Sequence, residues 1–296
     1  MSATALGSAV QDWSPGPTEA TDRVGADVVA AFSTLLDLPS PAAADGDPLP
    51  PLWHWFAFLD RPRTADLGDD GHPADGHFLP PVPHRRRMIA GGRLTLWGTW
   101  RVGEDVTRRS ELTDATVKSG RSGEMLFVTT RHTFSRGRAS RGGTVLAVEE
   151  QDVVYRSQEP GATRPVGAPT PREAPDPEHR WSLTMDPGPV HLFRFSALTW
   201  NSHRIHYDEP YVTGVEGYPG LVVHGPLLAM LLLELPRRHA ERPVTSFDYR
   251  LSRPVFAGQR VVAGASPDPA DPDGAWSASA AVAGAPDSIT ARGRLG

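Results

Sequence analysis

Between about residues 93 and 156, apolar and polar residues alternate with a period of two in stretches separated by turns. GRLTLWGTWRV, DVTRRSELTDATVK, EMLFVTTRHTFS and TVLAVEEQDVVYR each gather their apolar side chains on one face, as half-buried antiparallel strands do. The alternation returns in SFDYRLSRPV, QRVVAGASP, AWSASAAVAG and SITARGRLG, which predict a second set of strands. Ahead of each set lies helical spacing. TEATDRVGADVVAAFSTLLDL, residues 18–38, predicts a helix with Thr18 or Thr21 as N-cap. The apolar window 221–235, LVVHGPLLAMLLLEL, is interrupted by His224, Gly225 and Pro226 and is too short to span a bilayer, so residues 226–235 predict a buried helix. Residues 190–196 read as an aromatic strand.

Breaks in the pattern divide the chain. Residues 1–16 read as a flexible N-terminus and 17–157 as a first half. Residues 158–177 read as a Pro-rich linker, and 178–296 as a second half that repeats the order helix first, strands after. Residues 61–80 are charged and rich in Gly and Pro, which predicts an exposed loop. VGEDV (102–106) and AGQRV (257–261) echo one another, each placing a Gly-x-x-Val turn before a strand. A helix wrapped by a long antiparallel sheet is the hot-dog architecture; two copies on one chain make a double hot-dog, an α+β fold.

Composition adds mainly exclusions. The 296 residues carry a net charge of −5 with 39% hydrophobic residues, so nothing points to nucleic acid. There is no cysteine, hence no disulfide framework, thiolate nucleophile or thiolate-held metal, which fits a cytoplasmic protein. The N-terminal MSATALGSAVQDW has no basic stretch followed by an apolar run, so no signal peptide or membrane association is expected.

The chemistry concentrates in FSALTWNSHRIHYDE, residues 195–209. His203 and His206 stand three apart, with His224 as a third candidate ligand, but spacing alone brings no further metal ligand to them, and no metal or cofactor is expected. A catalytic reading joins Asn201, His206 and Gly225. Gly225 precedes Pro226, a residue favoured at a helix start, where unpaired N–H groups and a positive dipole end can hold an oxyanion. An imidazole there can move protons at neutral pH. Each part also has a plain structural explanation: a hydrogen-bonded histidine, a turn asparagine, a common helix start. Arg85, Arg86 and Arg87 stand in a row, either as a phosphate grip or as a solvated basic patch. Trp53, Trp55, Phe56 and Phe58 are candidates for an acyl tunnel or for ordinary core, and Trp200 for substrate contact.

TWNSHRIHYDEPY followed by EGYPGLVVHGPLL resembles the MaoC-like type-2 enoyl-thioester hydratase and dehydratase family. That family's motif runs Asp-x-Asn-Pro-(Leu/Ile)-His, then His-Gly before the central hot-dog helix. Its Asp falls on Asn201, its Asn on His203, its Pro on Arg204 and its His on His206, with the oxyanion-hole glycine on Gly225. The Asn-Ser-His-Arg-Ile-His form is similar to the branch of mitochondrial 3-hydroxyacyl-thioester dehydratase type 2 and the mesaconyl-CoA and itaconyl-CoA hydratases. PLWHWFAFL, FLPPVPHRRRMIAGGRL and EEQDVVYR are similar to that branch's N-terminal, fatty-acid-synthase-like half. The resemblance covers roughly residues 45–296. It implies reversible hydration of an acyl thioester, carried by CoA or acyl carrier protein, with His206 as acid and base and Asn201 holding water or the β-hydroxyl. His224 is assigned to packing or hydrogen bonding at the substrate pocket, and a homodimer is open to such a chain. Asparagine cannot ionise, so a catalytically silent thioester-binding protein is the rival reading. A thioesterase would need a nucleophile or carboxylate base near the helix start, where Asp208 and Glu209 are near only in sequence.

Overall fold

The computed structural model describes residues 5–120, 123–137, 142–157, 179–282 and 284–296. The first half contains α1 (Ala5–Val10), β1 (Thr18–Asp22), α2 (Ala26–Leu35), β2 (Arg85–Leu96), β3 (Val106–Gly120), β4 (Gly123–Arg136) and β5 (Thr144–Ser157). The second contains β6 (Trp181–Met185), α3 (Pro189–Leu198), α4 (Glu209–Gly214), α5 (Gly225–His239), β7 (Val244–Leu251), β8 (Val261–Asp268), β9 (Asp271–Val282) and β10 (Ile289–Leu295). The linker expected at 158–177 lies outside the described residues.

All ten strands form one antiparallel sheet in the order β1-β3-β4-β5-β2-β7-β10-β9-β8-β6. Read outward from the central β2–β7 pair, the halves match strand for strand: β2 with β7, β5 with β10, β4 with β9, β3 with β8, β1 with β6. The two Gly-x-x-Val echoes therefore fall on equivalent turns. Gly103 and Gly258 both have φ above +80°, each three residues before its strand, a conformation glycine adopts without a Cβ penalty.

The helices break this symmetry. In the second half α5 runs fifteen residues, and Leu227 to Leu233 are all buried, as expected of a helix that is apolar on every side. Its one buried acid, Glu234, receives Arg237 at 2.7 Å and Arg238 at 3.2 Å. At the matching place the first half has only a four-residue 3₁₀ turn, Trp53–Phe56. Among the described residues only the second half thus carries a long central helix, and a cavity of about 810 Å³ is lined by residues of both halves.

Three expectations are corrected. Residues 18–22 pair with β3 as a strand, and the helix begins only after Gly25, so neither Thr18 nor Thr21 caps it. Residues 190–196 are helical, not extended: Pro189 takes the first turn, His191 Nδ1 accepts the Gly188 N–H at 3.2 Å, and the buried residues Leu192, Phe195 and Ser196 follow i, i+3, i+4 spacing. Residues 5–10, within the stretch expected to be flexible, form α1, whose Leu6 is buried against Val82, Leu126 and Val128. Trp53 and Phe56 are core residues, packed on Phe32 at 4.8 Å between ring centres, whereas Trp55 and Phe58 line the cavity.

Candidate active site

The cavity floor in the second half is built by the chain leaving α3. Trp200 takes a left-handed φ of +51°, which turns the backbone out of the helix, and Asn201 N–H then donates back to Ser196 O at 2.9 Å. Asn201 Oδ1 accepts the His203 N–H at 3.0 Å, a local turn that fixes the segment. Arg204, which falls on the family motif's proline, points away from the chemistry. It donates to Asp208 at 2.7 and 2.9 Å and stacks over Tyr211 at 3.9 Å, while Asp208 caps α4.

His206 ends the 3₁₀ turn Arg204–His206 and is buried. Its Nδ1 donates to the Val222 carbonyl at 2.7 Å. That bond fixes the tautomer and leaves the Nε2 lone pair free to take a proton. Burial pushes the imidazole down to about 4, against the opposing pull of the Val222 bond, so the ring is neutral near pH 7. His224 stacks on it, ring centres 3.6 Å apart and planes 18° apart, and shares a 2.9 Å hydrogen bond with Ser196 through Nε2. His224 is also driven well below its ordinary value by burial, so the stack carries no charge repulsion.

Gly225 opens α5 directly after His224, and Pro226 follows it. As the first helical residue its N–H precedes every intrahelical acceptor, and Pro226 has no N–H to compete. A Cβ at Gly225 would stand 2.6 Å from Leu251 Cδ1, so a side chain here would press on Leu251, which also lines the cavity. Asn201, His206, His224 and Gly225 all line the one cavity, with Trp200 at its rim, 57% exposed.

The arginine row divides. Arg86 and Arg87 line the cavity, Arg86 in an ion pair with Glu216. Arg85 does not line it: its guanidinium holds the Ala74 and Pro80 carbonyls, a structural task.

The loop at 61–80, expected to be exposed, docks onto the motif. Asp70 O accepts the Arg204 N–H at 2.8 Å, Gly71 O accepts Ser202 Oγ–H at 2.6 Å, and Asp69 O accepts from Arg204 at 2.9 Å. This brings a carboxylate and a histidine to the site that the sequence spacing did not reveal. Asp70 accepts both the backbone N–H of His72 (2.9 Å) and its Nδ1–H (3.0 Å), and the His72 ring lies 3.9 Å from that of His203. Burial works to raise the Asp70 carboxyl, but the hydrogen bonds and charge of His72 outweigh it and hold the group below its usual range. His203 therefore does have neighbours able to complete a metal set: the ligand atoms of Asp70, His72 and His203 lie within 4.8 Å of one another.

The other end of the cavity, in the first half, is also polar. His54 Nε2 donates to Glu149 at 2.7 Å, and Trp55 Nε1 and Gln151 Nε2 donate to the other oxygen at 2.7 and 2.9 Å. Burial would raise Glu149, but the charge and hydrogen bond of His54 hold it down to about 2. His132 shares a hydrogen bond with Ser110 at 2.8 Å and is pushed by burial to about 4.

A family model of hydroxyacyl-thioester dehydratase type 2 matches residues 52–257. The mesaconyl-C(4)-CoA hydratase of Chloroflexus aurantiacus is 47% identical over 264 residues, covering 87% of this chain and 91% of that protein. The mitochondrial hydroxyacyl-thioester dehydratase type 2 of Schizosaccharomyces pombe is 34% identical over 134 residues, 44% of this chain and 43% of its own. Among solved structures, a MaoC-like dehydratase superposes with a TM-score of 0.67 at 15% identity, covering 97% of this chain and 99% of that one. A MaoC-like dehydratase from Phytophthora capsici gives 0.66 at 13% identity, with 96% of each chain covered. The structural likeness supports the double hot-dog fold, and the matched segment holds every residue from the Trp53–Phe56 turn through the motif to Gly225; the chain belongs to the hydroxyacyl-thioester dehydratase type 2 family.

Proposed function

We propose that the chain hydrates an enoyl-CoA to a 3-hydroxyacyl-CoA, and runs the reverse dehydration, with His206 as the single proton carrier. One observation carries the reading: His206 Nδ1 is tied to the Val222 carbonyl while its ring lines the same cavity as the first N–H of α5. In hydration Nε2 takes a proton from water as the oxygen bonds to the β-carbon. The electron pair moves onto the thioester oxygen, facing Gly225 N–H, and the same imidazole then returns the proton to the α-carbon. Asn201 has a free amide NH₂ to orient the water, because its Oδ1 is engaged by His203. Arg86 and Arg87 lie where carrier phosphates can approach, which favours CoA over a bare acyl group.

The mesaconyl relative makes a small unsaturated dicarboxylic acyl group the first substrate to try, and the cytoplasm is the proposed compartment. Among the described residues no helix is long and apolar enough to cross a membrane. The test is to incubate the protein with mesaconyl-CoA, crotonyl-CoA and longer enoyl-CoAs and follow the loss of enoyl-thioester absorbance. Turnover of at least one, lowered roughly 10²–10⁴-fold by His206→Ala, is expected. No turnover of any CoA or acyl-carrier-protein enoyl thioester would leave the silent binding protein as the better reading.

A further inference from the structure

Three arginines that the proposed chemistry does not use line the cavity, Arg108, Arg156 and Arg253, and of these Arg156 already donates to Met125 Sδ. Arg108, on β3, lines the cavity's far end in the first half, across from the elements that carry His206 and Gly225. Its guanidinium lies over the Phe58 ring at 4.7 Å, and its Nε is fully buried with no hydrogen-bond partner. No carboxylate among the described residues pairs with it. The nearest buried acid, Glu149, already accepts three N–H donors, from His54, Trp55 and Gln151. Asp22 is engaged by the Phe58 N–H at 2.7 Å, and Asp60 acts on Arg108 only through space. Burial lowers the guanidinium's proton affinity, while the carboxylates of Glu149, Asp22 and Asp60 work against that through space. A half-buried arginine that lines a cavity with its Nε unpaired is suited to a planar anion that arrives with the ligand.

The position decides which anion. In the proposed chemistry the thioester faces Gly225, and Arg86, with Arg87 next to it on β2, pairs with Glu216 of the second half. Arg108 lies over Phe58, two residues past the 3₁₀ turn Trp53–Phe56, among cavity-lining residues of the first half, which has only this short turn where the second has α5. We propose that Arg108 is the anchor for a carboxylate at the end of the acyl chain, and that it selects acyl thioesters bearing a second acid group. This rests on the thioester-hydratase reading for the orientation of the ligand. His132, neutral beside Arg108 with Nδ1 turned to Ser110, is placed to add a second hydrogen bond.

The test uses the full-length protein, Arg108→Met and Arg108→Lys. Equilibrium binding of succinyl-CoA and butyryl-CoA reads the subsite without turnover. Wild type should bind succinyl-CoA more tightly by roughly 10–100-fold, the range for a hydrogen bond to a charged group. Arg108→Met should erase the difference by weakening succinyl-CoA alone, and Arg108→Lys should restore part of it. In kinetics, Arg108→Met should lower kcat/KM on a carboxylated enoyl-CoA by a similar factor and leave a methyl-ended enoyl-CoA of equal length unchanged. Equal loss on both ligands would overturn the inference, since Arg108 would then hold a carrier phosphate or the fold. No preference for succinyl-CoA in the wild type would also overturn it. Failure of every enoyl-CoA to turn over, with the binding preference intact, would sink the hydratase reading and leave the carboxylate subsite standing.

Discussion

His206 is the residue on which the chemistry turns, because its Nδ1 is already committed to Val222 and only Nε2 is free. His206→Ala should lower kcat by roughly 10²–10⁴-fold, the range for a positioned acid–base group. The base form is the neutral ring, and burial holds its protonation down near 4. The wild-type kcat/KM should therefore stay level through neutral pH and fall as acid approaches about 4, and the residual activity of His206→Ala should lack that limb. A limb near the ordinary histidine range would mean another group titrates. Asn201→Asp restores the wider family's carboxylate and is expected to rescue part of the activity lost in His206→Ala when the two are combined. Asp70, His72 and His203 supply a plausible donor set for a divalent ion, yet both Asp70 oxygens already accept from His72 and the proposed proton transfers need no Lewis acid. Prolonged EDTA treatment should leave turnover unchanged; loss that zinc or iron restores would assign the set to a metal.

The element that holds this residue in place is the loop around Gly71. Gly71 has φ +84°, and a Cβ there would overlap the Ser202 carbonyl. Gly71→Ala should thus push the loop off the motif and cut kcat/KM by about tenfold or more. Gly46→Ala is the control, with φ +80° but open space around it: it carries the conformational cost of roughly 1 kcal/mol and should leave kcat/KM alone. The motif itself was legible in the sequence because Asn201, His206 and Gly225 lie within one short segment on local turns, and the second-half strands because half-burial forces alternation. Asp70, His72, Glu149 and Arg108 were not legible. They reach the cavity from far along the chain, through tertiary pairing that local spacing does not encode, and GDDGHP carries only loop chemistry on its face. Residues 190–196 misled for a different reason: VHLFRFS alternates well enough for a strand, and the Gly188–Pro189 helix start decides the matter.

At the scale of the molecule, the cavity exists because two unequal halves share one sheet. Histidines kept neutral by burial, His206 and His132 near 4 and His203 and His224 also depressed, bind protons more readily once the chain unfolds. Below the ordinary histidine value near 6.5 the unfolded state therefore holds more protons than the folded one. Stability should be full above that value and decline as pH falls toward 4, which a series of melting curves will show. The same sheet makes the halves interdependent. The β2–β7 ladder joins Gly91 through Thr95 to Arg250 through Ser246, and Trp55 of the first half packs on Tyr249 of the second at 6.3 Å between ring centres. Residues 178–296 alone would expose the β7 edge together with the buried Phe247 and Tyr249, and an unpaired strand edge beside apolar surface favours aggregation. That fragment should elute as aggregate or melt without cooperativity, whereas co-expression with residues 1–177 should recover a soluble pair. A monomeric, cooperatively melting fragment would show that the second half folds without its partner.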